Sequence, residues 1–204
     1  MSSSKWDQKY EAAPGGLFGN SPNEYVREIA ARSDFAARTG LCLADGDGRN
    51  SRWLAARGLQ MTAVDLSAVA CANGERLDAA AGVRVERIAG DVEDWQPAEG
   101  RRWEAVFVMY LQAPEATRMA AVQRGWNALN AGGWIVVEAF AKAQAAAGNG
   151  LGPGSLDLMY DLEEFCAWLP DAEVVEALAG RIGLDEGGRH HGLAHVVRFA
   201  ARKY

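Results

Sequence analysis

LCLADGDGRN, residues 41–50, runs from apolar residues straight into a turn that alternates Asp and Gly. Residues 40–45 have the pattern of a short strand, and the segment SRWLAARG after the turn reads as a helix that closes on Gly58. LQMTAV (59–64) is a second strand ending at Asp65, and Ser67 is placed to cap a helix through AVACANGERL. A strand, a glycine turn, a helix and a strand in this order set the rhythm of a parallel α/β sheet.

The rhythm continues outward. VRVERIAGD (83–91) and the continuous apolar run WEAVFVMY (103–110) are further strands. Pro114 and Glu115 open a helix with Met119, Val122, Trp126 and Leu129 on one face, predicted to end at Asn130–Gly133, and WIVVEAF (134–140) is the fifth strand. AKAQAAAGNGLGPGS (141–155) reads as a mobile loop over a site, and DLEEFCAWL (161–169) as a helix stopped by Pro170. AEVVEALAG and LAHVVRFAA then pair as an antiparallel hairpin at the sheet edge, with GRIGLDEGGRHHG between them. The expected architecture is one doubly wound sheet whose ligand lies beyond the C-terminal strand ends, at the switch point beside the GDG turn.

The chain has 204 residues, is 49% hydrophobic and carries a formal net charge of −6, with its basic residues scattered. That length suits one domain, and the charge argues against a sequence-independent grip on nucleic acid. The N-terminal stretch MSSSKWDQKYEAAPGG lacks a basic-then-apolar signal region, and no apolar run approaches the roughly 20 residues of a membrane span, so a cytoplasmic protein without a membrane partner is expected. Cys42, Cys71 and Cys166 are far apart and read as reduced core residues.

Gly46 and Gly48 allow close approach of a ligand, and Asp65 lies 19 residues beyond Gly46, near the spacing of about 20 for an acid that takes ribose hydroxyls. A dinucleotide fingerprint needs a third glycine where this chain has Ser51. Asp45 and Asp47 repel a pyrophosphate and suit a ligand with positive charge, such as the sulfonium and amino groups of S-adenosyl-L-methionine; the alternative is that both are solvated turn acids.

Four pieces in order carry a resemblance: WDQKY…GLFGNSPNEYV (6–26), LADGDGRNSRWLAARGLQMTAVDLS (43–67), GPGSLDL (152–158) and LDEGGRHHGLAHVVRFAARK (184–203). Through them the chain resembles class I S-adenosylmethionine-dependent methyltransferases, and within these the small tellurite-resistance-type and thiol-methyltransferase-like group. The resemblance implies a mostly parallel seven-stranded Rossmann-like sheet with a C-terminal antiparallel hairpin in a single domain. In it residues 1–30 form a lid, 38–140 the cofactor core and 141–204 the acceptor side. It implies that residues 44–50, including Ala44, Asp45, Gly46, Gly48, Arg49 and Asn50, wrap the methionine part. Asp65 takes the ribose with Leu66 against the adenine and Ser67 beside it, and Gly90, Asp91 and Val92 meet the adenine edge. Tyr110 and Gln112 flank the methyl donor. Where the group carries an acid and a glycine, this chain has Cys42 and Ala44.

On the acceptor side, the resemblance points the last hairpin at the acceptor, with His190 as the candidate that orients or deprotonates it, beside Arg181 or Arg189. Tyr10 is the second catalytic candidate, close to a lid over FGNSPNEYV; Trp6 and Tyr10 are equally a helix face packed on the domain. A metal site from His191, His195 and Glu186 is conceivable but lacks further ligands, and none is expected. The expected activity is methyl transfer to a small soft or anionic acceptor, a thiol or a tellurite- or selenite-like oxyanion, giving S-adenosyl-L-homocysteine, in a monomer or weak homodimer. The alternatives are a regulatory protein that binds the cofactor without turnover and an NAD(P)-dependent oxidoreductase.

Overall fold

In a computed structural model, which describes residues 3–187 and 190–204, seven strands form one sheet. They are β1 (Thr39–Leu43), β2 (Gln60–Asp65), β3 (Val85–Ala89), β4 (Trp103–Met109), β5 (Leu129–Phe140), β6 (Glu173–Asp185) and β7 (His191–Arg202). Their order is β3-β2-β1-β4-β5-β7-β6. The first five run parallel, β7 is antiparallel to β5, and β6 to β7, which is the expected mostly parallel sheet with its C-terminal hairpin. Strand order reverses between β1 and β4, neighbours through Leu43↔Val108, so the crevice opens past the ends of these two strands.

Alternation along the strands divides the core in two. Leu41, Leu43, Val106, Val108, Ile135 and Val137 face the layer of α5 (Glu115–Asn127) and α6 (Leu162–Trp168). Cys42, Ala63, Phe107 and Val136 face that of α2 (Glu24–Ala30) and α3 (Arg49–Ala56). Gly125 on α5 packs so close to β4 that an added Cβ would fall 2.7 Å from Val106 Cγ1. Ser67 caps α4 (Ala68–Ala80) by accepting from Ala70 N at 3.1 Å, as its position after β2 predicts.

Three boundaries differ from expectation. Helix α5 stops at Asn127 and β5 already begins at Leu129. The terminal strands run through most of GRIGLDEGGRHHG, with pairing from Arg181↔His195 to Asp185↔His191, because each strand supplies the other's backbone partners and so tolerates Gly180 and Gly183 inside the ladder. Segment 141–155 is not a free loop: a 3-10 turn at Lys142–Ala146 buries Gln144, which accepts from His195 N at 2.7 Å and donates to Asn149 Oδ1 at 2.7 Å. Cys166 is exposed on α6, contrary to the core reading, while Cys42 and Cys71 are buried; all three are free thiols. Among the described residues no helix is long and apolar enough to cross a membrane.

Candidate functional site

A cavity of about 600 Å³ opens at the C-terminal ends of the parallel strands. Its floor is the turn after β1, where Gly46 and Gly48 have φ of 61° and 87° and Ala44, a residue with a Cβ, has φ of 55°. Of the residues expected to hold the cofactor, Ala44, Asp45, Gly46, Arg49, Asn50, Asp65, Leu66, Asp91, Val92, Tyr110 and Gln112 line this cavity. Gly48, Ser67 and Gly90 do not: Gly48 makes room for Arg87, Ser67 caps α4 and donates its hydroxyl to Asp7 Oδ1 at 2.6 Å, and Gly90 N donates to Asp65 O.

Asp65, at the end of β2, accepts from Gly46 N at 2.7 Å and from Ser67 N at 2.9 Å. Burial pushes its carboxyl up to about 6, partly offset by these two hydrogen bonds and reinforced by the charges of Asp45 and Asp47. Asp91 follows β3 and accepts from Glu93 N at 2.9 Å.

The acids of the turn are neither solvated nor equivalent. Asp45 bonds its carboxylate to Ser51 Oγ at 2.5 Å and Arg87 Nη1 at 3.2 Å, so its charge is neutralised within the protein. That corrects the expectation that it complements a cationic ligand. Arg87 continues to Asp78 at 2.8 Å, and Asp78 to Arg52 at 3.3 Å, a buried ion-pair chain beneath the turn. Asp47 is buried and accepts from Leu17 N at 2.7 Å, fastening the N-terminal segment to the turn. Arg49 and Asn50 also direct their side chains at neighbouring elements: Arg49 reaches Glu186 Oε2 at 2.8 Å and Asn50 Oδ1 accepts from Asn23 N at 2.8 Å.

The N-terminal helix packs on the domain and also lines the cavity. Helix α1 (Ser3–Glu11) packs on α4, where Asn73 Nδ2 donates to Tyr10 O at 3.0 Å, and it turns Trp6 and Tyr10 into the cavity wall. The Tyr10 hydroxyl lies over Gly46, where an added Cβ would come within 2.3 Å of it. Burial, with the carboxylates of Asp65, Asp47 and Asp45, raises its pKa well above the ordinary value, so at neutral pH it donates hydrogen bonds and takes no proton. Tyr10 thus belongs to the turn's end of the cavity and is apart from His190.

His190 stands at the other end, among Tyr110, Phe18 and Phe140, with ring centroids at 4.3, 5.3 and 5.6 Å. Its Nδ1 faces Glu186 Oε2 at 3.7 Å and Arg49 Nη2 at 3.5 Å, which leaves Nε2 as the nitrogen to meet a ligand. Burial acts to raise Glu186, but His190, Arg49 and Glu24 N outweigh it and hold the carboxyl down at about 2. Tyr110, with φ of 54°, carries the backbone strain that marks many functional positions. The Gln112 amide, in the orientation that satisfies both its ends, donates to Leu158 O at 2.7 Å and accepts from Phe140 N at 2.9 Å.

Arg181 is elsewhere, at a surface depression with Asn149, Leu193 and His195, and Arg189 lies outside the described residues. His191 is exposed against Asp185, and among the described residues no three metal-ligating side chains converge. Sequence reasoning missed Phe140 and the buried carboxylate of Glu138, which accepts from Asn23 Nδ2 and Arg198 Nε, both at 2.5 Å. A lone Glu inside the apolar run WIVVEAF was its signal, since a buried charge must be paired.

Residues 41–133 match the family described as Methyltransferase domain. No curated protein matches the sequence. Among solved structures, TehB from Haemophilus influenzae superposes with a TM-score of 0.71 at 15% identity, over 98% of this chain and 67% of that one. N-methyltransferase NodS from Bradyrhizobium japonicum WM9, in complex with S-adenosyl-L-homocysteine, gives 0.72 at 11% identity over 98% and 97%. The structure described as "Conversion of a Disulfide Bond into a Thioacetal Group during Echinomycin Biosynthesis" gives 0.76 at 14% identity over 98% and 91%. With its sheet order, its terminal hairpin and these likenesses, the chain has the class I S-adenosylmethionine-dependent methyltransferase fold.

Proposed function

We propose that the chain transfers a methyl group from S-adenosyl-L-methionine to a small acceptor with a soft nucleophile and releases S-adenosyl-L-homocysteine. The observation that carries the reading is Asp65, a carboxylate on the cavity wall that accepts from the backbone N–H groups of Gly46 and Ser67 and has further lone pairs suited to ribose hydroxyls, beside a glycine turn with left-handed backbone. The carboxylates of Asp47 and Asp65, which accept from the backbone N–H groups of Leu17, Gly46 and Ser67, also suit a positively charged ligand. The bound cofactor supplies an electrophilic methyl on a sulfonium sulfur. The turn after β1, Asp65, Leu66 and Asp91 would hold it, while Tyr10 and Trp6 keep water from that end. At the opposite end His190 Nε2 takes the proton of an acceptor that arrives protonated, and Glu186 and Arg49 hold the ring at Nδ1.

Calorimetric titration with S-adenosyl-L-methionine, S-adenosyl-L-homocysteine and NAD tests the first half of this reading. Binding of both sulfur ligands and not of NAD is expected, and binding of NAD alone overturns it. Release of S-adenosyl-L-homocysteine on addition of a thiol separates an enzyme from a regulatory binder.

A further inference from the structure

The two ends of the cavity differ in chemistry. The end past β2 and β3 presents Asp65 and Asp91, with α1 and its lysines beside them. The end past β4 and β5 is made of rings and aliphatic side chains: Phe18, Tyr110, Phe140, Leu151 and Leu158 around His190. Leu151 packs with Phe140, Leu184 and Val196, so this wall continues the core of the terminal hairpin.

Among the described residues, the guanidinium beside His190 is that of Arg49, and it is already engaged. Arg49 is 6% exposed and donates to Glu186 Oε2 at 2.8 Å, Glu186 O at 3.1 Å and Ser21 O at 3.4 Å. Lys5 and Lys9 both belong to α1, at the other end, where Lys9 lies over the Trp6 ring at 4.1 Å. Behind His190 and Tyr110 stand two buried carboxylates, Glu186 and Glu138. An oxyanion entering this end would lose its hydration and, among the described residues, meet only a guanidinium already paired with Glu186, whereas an apolar body gains on leaving water.

We propose that the methyl acceptor is an uncharged, largely apolar small molecule, not a hydrated oxyanion, and that Phe18, Phe140, Leu151 and Leu158 set this preference. The inference rests on the methyl-transfer reading for the word acceptor, and on the cavity wall for its chemistry.

Phenylmethanethiol and mercaptoacetate share a thiol and differ in whether its carrier is a ring or a carboxylate, so they separate the body of the acceptor from its nucleophile. Binding of each, and of tellurite, is measured by calorimetry on the protein alone and on the protein saturated with S-adenosyl-L-homocysteine. Phenylmethanethiol is expected to bind about 100-fold more tightly than mercaptoacetate, the scale of burying one aromatic ring. Equal affinities, or tighter binding of mercaptoacetate or tellurite, overturn the proposal. The Leu151→Lys variant places an ammonium in the wall from a surface segment and is expected to narrow the ratio at least tenfold; an unchanged ratio means that this wall does not select the acceptor and overturns the assignment. Because these titrations need no turnover, failure of the protein to bind S-adenosyl-L-methionine would count against methyl transfer and not against the apolar wall.

Discussion

Arg87 lies directly beneath Gly48: a Cβ built on Gly48 would fall 1.9 Å from Nη2 of the guanidinium. The same guanidinium bonds Asp45 and Asp78, so the turn that frames the cavity rests on a buried cation supplied by β3. Gly48→Ala is therefore expected to destabilise the protein by about 3 kcal/mol or more, from left-handed backbone and from the clash. Arg87→Met, which leaves Asp45 and Asp78 buried without their partner, is expected to cost about 3–5 kcal/mol. Denaturant unfolding of both single variants and the double variant checks the link: Gly48→Ala should cost less once Arg87 is gone, and strict additivity would show that the two do not touch.

Ala44 holds a backbone conformation that suits glycine, with φ of 55°. Ala44→Gly relieves that strain and is expected to raise stability by about 0.5–1 kcal/mol after the added freedom of the unfolded chain is counted. A rise in the thermal midpoint checks this, and a fall would mean that the turn is not strained at this residue.

Removal of the Asp65 carboxylate is expected to weaken S-adenosyl-L-methionine binding by about 1.5–3 kcal/mol, the range for a hydrogen bond to a charged group. Calorimetry on Asp65→Ala measures it, with melting curves to show that the fold persists. Unchanged affinity would move the ribose elsewhere.

The pH dependence of that binding has a defined sign. Burial raises Asp65 to about 6, so its ionised form is disfavoured in the fold, and this group withdraws stability as pH rises from its unfolded value through 6. A ligand that needs the ionised carboxylate binds more weakly as pH falls through the same window. Affinity is expected to drop about tenfold between pH 7.5 and 5 in the wild type, following the ionised fraction. Asp65→Asn, titrated in parallel, should lose that slope.

Glu186 behaves in the opposite sense. Its carboxyl is held down at about 2, so it contributes stability above the ordinary carboxylate range and loses it as pH falls toward 2. Glu186→Gln is expected to destabilise the protein at pH 7 by about 3 kcal/mol, because Arg49 stays buried without its counter-charge. The gap between variant and wild type should shrink on acidification, which acid unfolding curves would show.

Much of this could be read from residue order. The alternation of apolar strands with capped helices, the turn at Asp45–Gly48 and the acid at Asp65 are local patterns, and local patterns survive into the fold. What could not be read depends on which side chains meet across distant segments. The sequence shows Asp45 beside two glycines but does not show that Arg87, on β3, neutralises it. It shows Glu186 in a hairpin but not that Arg49, Asn23 and His190 converge on it. Strand ends were misjudged where glycines lay within a paired ladder, since pairing outweighs local propensity.

The bonds from Leu17 to Asp47 and from Asn23 to Asn50 tie residues 17–23 to the very turn over which they pass. The same segment also reaches the His190 wall, where Phe18 meets the His190 ring and Asn23 Nδ2 donates to Glu186 Oε1 at 3.0 Å. One short strap thereby braces both ends of the cavity, so a substitution at Asp47 or Asn50 is expected to disturb the surroundings of His190 as well as the turn to which it belongs.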